Sequence, residues 1–173
     1  MLVLEPLEAA LARGANVLGE IVGFGMSSDA SHLTQPAADG AARAMRMALR
    51  EGSLTPEQIG YVNAHGTGTQ ANDVTETRAI RAVFGEHADR LPVSSTKSMH
   101  GHALGAAGAL EAAATVLALR EGLLPPTLNY DEPDPDCALD LVIDKARPSD
   151  AEYAISNSFA FGGLNAVLAF RKY

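Results

Sequence analysis

A chain of 173 residues, 47% hydrophobic and 20% charged, is long enough to bury one core, which predicts a single soluble globular domain over 1–173. Its 13 Lys and Arg against 21 Asp and Glu give a formal net charge of −8, which excludes the clustered basic surface that nucleic acid or an anionic membrane surface requires. The lone Cys137 cannot close an intramolecular disulfide, no apolar run reaches the ~20 residues of a membrane helix, and the opening residues lack a signal peptide's basic start, so a cytoplasmic location is expected.

In chain order, Leu2-Val3-Leu4-Glu5-Pro6 is an apolar, strand-like run of the kind that sits inside a buried sheet, and a free edge of that sort predicts a chain cut from a larger whole. Pro6 suits the first turn of a short helix to Ala12, which Gly14 ends. Val17 to Met26 reads as a strand, and Ser27 to Asp39 as a polar loop. The apolar spacing of Ala41, Ala44, Met45, Ala48 and Leu49 predicts a helix over 40–51 that stops at Gly52.

Ile59 to Ala64 is a predicted strand, followed by a helix that Asn72 or Asp73 caps and that runs to about Phe84. Pro92 to Ser95 begins the next strand, and 105–121 is an Ala- and Leu-rich helix. The prolines at 125, 126, 133 and 135 make 123–136 an extended connector. Leu139 to Ile143, Tyr153 to Asn157 and Ala166 to Phe170 are the last strands, with a tight Gly162-Gly163 turn before the final one. The order β-α-β-α-β-α-β-β predicts an α/β layer fold with a mixed β-sheet and packed helices.

Three glycine-dense, polar segments follow strands, where α/β folds present functional loops. They are Asn63-Ala64-His65-Gly66-Thr67-Gly68-Thr69, Ser94-Ser95-Thr96-Lys97-Ser98-Met99-His100-Gly101-His102, and Asn157-Ser158-Phe159-Ala160-Phe161-Gly162-Gly163. Singly each is weak, because a lone His beside Gly is more often structural than catalytic. Together, in this order and at this spacing, they resemble the β-ketoacyl-acyl-carrier-protein synthases of the type II condensing class. The likeness extends from the Val-Leu-Glu run through Val22-Gly23-Phe24-Gly25-Met26-Ser27-Ser28-Asp29 to the last strand.

The resemblance implies the C-terminal half of a thiolase-like fold, with residues 1–5 as the last strand of a missing N-terminal half and a homodimer as the intact assembly. It implies a decarboxylative Claisen condensation of an acyl thioester with malonyl-acyl carrier protein in fatty acid or related acyl chain elongation. His65 and His102 would donate hydrogen bonds to the malonyl thioester oxygen, and Lys97 would hold the site's electrostatics, with Glu111 as its candidate ion-pair partner. Thr67 and Thr69 would hold the phosphopantetheine arm, and Phe161 would gate the acyl pocket with Phe159 packed behind it. No bound cofactor or metal is expected, since the substrates ride on acyl carrier protein, the expected partner.

The family's nucleophilic cysteine lies upstream of this stretch, so the chain alone is expected to be inactive. Cys137, among carboxylates and ahead of a strand, cannot replace it. His100 falls at a variable position of its motif. Ala160 stands where the family has Gly, which removes a left-handed option from the gating turn. Gln70-Ala71-Asn72-Asp73 resembles synthases of specialised pathways, such as nodulation-factor or polyketide assembly. A competing reading is a non-catalytic partner subunit of the chain-length-factor type, but such subunits lose the active-site histidines. A hydrolase metal site built on Asp73, His100 and His102 lacks the ligand spacing that zinc requires.

Overall fold

The computed structural model describes residues 2–30, 32 and 34–173. The chain forms α1 (Leu7–Ala12), β1 (Glu20–Ser28), α2 (Ala38–Glu51), β2 (Ile59–Asn63), α3 (Gln70–Phe84), β3 (Pro92–Ser94) and the one-turn α4 (Lys97–His100). It continues with α5 (Ala107–Glu121), β4 (Leu123–Leu124), β5 (Asp140–Leu141), β6 (Arg147–Pro148), β7 (Tyr153–Ala160) and β8 (Leu164–Arg171).

Six strands form one sheet in the order β1-β8-β7-β2-β3-β5, and β4 pairs with β6 apart from it. The sheet is mixed, as expected. The strands β7, β2, β3 and β5 run parallel, whereas β8 is antiparallel to both β7 and β1.

Side-chain alternation along each strand splits the core into two layers. Val62, Ile155 and Val167 face α2 and α3, where they meet Met45, Ala48, Ile80 and Phe84. Their neighbours Tyr61, Ala154 and Phe170 face α5 and meet Ala112 and Leu119. The helical stripe read from the sequence of α2 is buried as predicted, with Ala44, Met45 and Ala48 all fully buried. Sealing an apolar side chain the size of Met45 from water is worth roughly 1.5–3 kcal/mol, so α2 is held by its packed face.

Several expectations shift. Leu2 to Pro6 join no strand; Val3 and Leu4 are 83% and 71% exposed, because none of the described strands lies alongside to take their backbone groups. Met1 lies outside the described residues. The first strand is Glu20–Ser28 and not 17–26, since it ends only where its ladder with β8 ends, at Ser28 opposite Leu164. The expected loop over 27–39 shortens accordingly, and two of its positions, 31 and 33, lie outside the described residues. Thr69, not Asn72 or Asp73, caps α3: its extended backbone lets Oγ1 accept from the Asn72 N–H at 3.4 Å. The strand expected over 139–143 narrows to Asp140–Leu141 with one further bridge at Ile143. Strand β7 runs three residues further than predicted, to Ala160.

Candidate active site

The parallel strands decide where chemistry collects. Asn63 of β2 lies beside Ser94 of β3 on one flank and Ser156 of β7 on the other. All three parallel strands therefore run toward the same edge of the sheet, where α/β folds present their ligand loops, and β7 continues four residues beyond the other two. His65 follows β2 by two residues, Lys97 follows β3 by three, and Phe159 lies near the end of β7. The three glycine-dense segments meet because their strands are neighbours in register.

The first two loops are stitched together. Ser95 Oγ donates to the Gly66 carbonyl at 2.7 Å, and Gly66 has φ +39. A Cβ at Gly66 would stand 2.5 Å from the Ser95 Cβ, so only glycine permits this approach. Asn63 fixes the same floor to α5, donating to the Glu111 carbonyl at 3.2 Å and to Thr115 Oγ1 at 3.1 Å.

The two histidines are in contact, with ring centroids 5.4 Å apart and planes at 84°. Lys97 Nζ, a donor only, lies 3.2 Å from His65 Nδ1, so that nitrogen accepts and the proton sits on Nε2. The Leu104 N–H donates to His102 Nδ1 at 3.1 Å, which fixes the same tautomer there. Among the described residues, no hydrogen bond within the chain uses either Nε2. Burial, then Lys97, then His102 push the His65 imidazole down to about 3, so its ring stays neutral.

Lys97 and Glu111 form the expected ion pair, and both side chains are buried. Thr67 and Thr69 share a hydroxyl hydrogen bond of 2.9 Å. Phe159 is buried against His65 with centroids 5.8 Å apart, whereas Phe161 is 78% exposed at the tip of the β7–β8 turn. His65, His102, Thr67, Thr69, Phe159 and Phe161 all line one mainly apolar cavity of about 780 Å³. Ala160 stays in the ladder opposite Leu164, so no left-handed option is needed there in this conformation.

His100 does not line the cavity; its Nδ1 meets the Gly101 carbonyl and its Nε2 meets Thr96 Oγ1. Cys137 sits in the 135–137 turn, away from the cavity, its thiol pushed up by burial and by Asp134. Among the described residues, no group of three or more His, Cys, Asp or Glu side chains is arranged to hold a metal ion. Nor is any described helix long and apolar enough to cross a membrane.

Sequence reasoning missed Glu76. It is 3% exposed, and its Oε1 accepts from the His65 N–H and from Asn157 Nδ2, each at 2.9 Å. Its Oε2 accepts from the Gly66 N–H at 2.9 Å and from Asn72 Nδ2 at 3.3 Å. Burial pushes this carboxyl above its ordinary range against the pull of the four donors. The available signal was a polar pair, Asn72 and Glu76, four apart on the inward face of α3. Asp29 was missed as well: its carboxylate accepts from Asn165 Nδ2 at 2.7 Å and the Ala37 N–H at 2.8 Å, and its own N–H donates to the Gly163 carbonyl. It ties the Phe161 turn to the end of β1.

A family model for the beta-ketoacyl synthase C-terminal domain matches residues 18–131, more than half of the chain. The chain belongs to the β-ketoacyl synthase family. It is 55% identical over 175 residues to 3-oxoacyl-[acyl-carrier-protein] synthase 2 of Synechocystis sp., covering 100% of this chain and 42% of that protein. It is likewise 55% identical over 172 residues to nodulation protein E of a Rhizobium species, covering 99% of this chain and 43% of that one. Among solved structures it matches a type II polyketide acyl-carrier protein in complex with its ketosynthase, at 38% identity and TM-score 0.95, over 98% of this chain and 42% of that one. The fold is thus that of the ketosynthases, thiolase-like, and the domain spans about two-fifths of the length of these relatives.

Proposed function

We propose that the domain supplies the malonyl-activating part of a decarboxylative Claisen condensation, acting on malonyl-acyl carrier protein in fatty acid or related acyl chain elongation. One observation carries the reading: two imidazoles, each held at Nδ1 by a donor that leaves the proton on Nε2, line one cavity. When the malonyl carboxylate leaves as carbon dioxide, the electron pair of the broken C–C bond delocalises onto the thioester oxygen. Two N–H donors aimed at that oxygen stabilise the enolate as its charge develops. The enolate carbon then attacks an acyl thioester, forming the new C–C bond and expelling the thiolate that carried the acyl group.

Lys97 positions His65 and disfavours its protonation, keeping it a donor at Nε2. The threonine pair suits the amides of a phosphopantetheine arm, which is polar and uncharged. The acyl-bearing cysteine would come from the part of the synthase that the relatives carry outside this stretch, and acyl carrier protein would be the partner that brings malonate. Retention of both imidazoles and Lys97 in one assembled cluster favours this reading over a non-catalytic chain-length-factor subunit. The acyl class covers primary fatty acids as well as nodulation-type or polyketide chains, given the similarity to both kinds of relative.

The test is carbon dioxide release from malonyl-acyl carrier protein, using the domain alone and joined to an upstream ketosynthase part. Release by the joined protein that falls about 10²–10³-fold in His102→Ala, the usual worth of one such donor, is expected. An unchanged rate in His102→Ala would end the proposal. A stable joined complex with no release at all would favour the non-catalytic subunit.

A further inference from the structure

His100 closes the one-turn α4 and lies outside the cavity, so the chemistry described above gives it no part. The residue is exposed, yet both of its ring nitrogens are engaged. Nδ1 lies 2.8 Å from the Gly101 carbonyl, and Nε2 lies 3.3 Å from Thr96 Oγ1. Thr96 precedes Lys97 and is 1% exposed, while Gly101 has φ +75 and leads directly into His102. The imidazole therefore spans the whole turn that separates Lys97 from His102.

The protons in this arrangement can be counted. A carbonyl only accepts, so Nδ1 carries a proton toward Gly101. Beyond Thr96 stands Asn63, whose Nδ2 faces the Glu111 carbonyl, which fixes the oxygen end of that amide. Thr96 Oγ1 donates to Asn63 Oδ1 at 3.5 Å, and among the described residues this fully buried oxygen has no other hydrogen-bond donor. With its single proton committed there, Thr96 Oγ1 accepts from His100, and Nε2 carries a proton as well. All three contacts coexist only in the doubly protonated ring. When Nε2 gives up its proton it draws the Thr96 hydroxyl to itself, and a buried oxygen loses its donor.

Neighbouring charges do not take over this task. Glu111 of α5 and His65 after β2 are both engaged by Lys97, and His102 Nδ1 is engaged by the Leu104 N–H. Among the described residues, no carboxylate lies within ion-pairing distance of His100.

We propose that His100 is a positioning residue and a proton-dependent clasp on the two cavity histidines. Its ring holds the Gly101 carbonyl, and with it the peptide that joins Gly101 to His102. Through Thr96 it also holds Asn63, two residues before His65. The clasp acts from outside the cavity and is complete only while the ring is protonated. This rests on the ketosynthase reading above.

The experiment compares wild type, His100→Ala and His100→Gln in the complete synthase. The pH dependence of kcat and KM is read for carbon dioxide release from malonyl-acyl carrier protein, and crystal structures of wild type and His100→Ala show the peptide. Wild-type kcat should fall as pH rises through one ionisation that both variants lack. On the acid side of it, His100→Ala should lower kcat by about 2- to 10-fold, the usual contribution of one hydrogen bond. KM should hold, because the ring does not line the cavity. Glutamine donates to the Gly101 carbonyl without titrating, so it should recover part of kcat and leave the ionisation missing. In the alanine crystal structure the Gly101 carbonyl should turn away from its wild-type direction.

Identical pH profiles in wild type and His100→Ala would overturn the proposal. So would a raised KM together with a lower melting temperature, because the ring would then be a general prop for the cavity. If the wild-type synthase releases no carbon dioxide, the ketosynthase reading fails. The two crystal structures still decide the clasp in that case, since an unmoved Gly101–His102 peptide in His100→Ala overturns it.

Discussion

Lys97 Nζ stands 3.2 Å from His65 Nδ1 while it ion-pairs with Glu111, so one buried cation serves a buried imidazole and a buried carboxylate together. Removing one partner of such a pair strands the other charge. Lys97→Met should therefore cost about 3–5 kcal/mol in urea unfolding, with Lys97→Met/Glu111→Leu recovering most of it. Decarboxylation should stay depressed in both, because both remove the donor that fixes His65 with its proton on Nε2. A double variant as unstable as the single one would show that Glu111 is not the stranded charge.

The depressed His65 imidazole makes stability depend on pH in a definite direction. In the unfolded chain the ring takes up a proton near pH 6.5, whereas in the folded chain it does so only at about 3. Between those values the unfolded state binds more protons, so stability is present above 6.5 and is lost as pH falls toward 3. Wild type should lose roughly 1–3 kcal/mol more than His65→Gln between pH 7 and pH 4. Chemical unfolding of the two proteins at both pH values checks this, and parallel losses would rule it out.

Much of this molecule is legible in its residues because the signals are local. The 3.6-residue apolar period of α2 and the glycine pair before the last strand both appear as read. The histidines, Lys97 and the aromatics could be named because their three motifs, taken together, resemble those of one family. What was not legible depends on neighbours. Leu2 to Leu4 has the composition of a buried strand, yet no described strand pairs with it. Thr69 could be read as a ligand for substrate, and only the helix geometry shows that its hydroxyl also caps α3. Glu76 left only its pairing with Asn72 on α3, since its role arises from the His65 loop and the β7 asparagine that the fold brings to it.

Glu76 offers a sharp test of how those loops are held. Its carboxylate accepts from four N–H groups on three segments, two of them the backbone of His65 and Gly66. Glu76→Gln keeps the shape but turns an NH₂ group toward donors, so two buried N–H groups lose their acceptor. The cost should be about 1–3 kcal/mol for each unsatisfied donor. Carbon dioxide release should fall as well, because the His65 backbone is no longer pinned. Full stability with full activity in Glu76→Gln would mean that the four contacts are not needed to place the histidine.

The turn that carries Phe161 contains two left-handed glycines in different surroundings, which separates backbone strain from contact. Gly162 has φ +80 with nothing within 4 Å of an added Cβ, whereas Gly163 has φ +73 and an added Cβ would stand 2.5 Å from Asp29 Cβ. Alanine at either position pays for a left-handed L residue, about 1–2 kcal/mol. Only Gly163→Ala must also displace Asp29, which holds Asn165 and the end of β1. Gly163→Ala should thus be the more destabilising and should alone change KM for the acyl thioester, by moving Phe161 relative to the cavity. Thermal melts and steady-state kinetics on the two variants decide it. Equal losses would leave Asp29 no part in setting the aromatic turn, and a changed KM in both would assign the effect to the backbone of the hairpin alone.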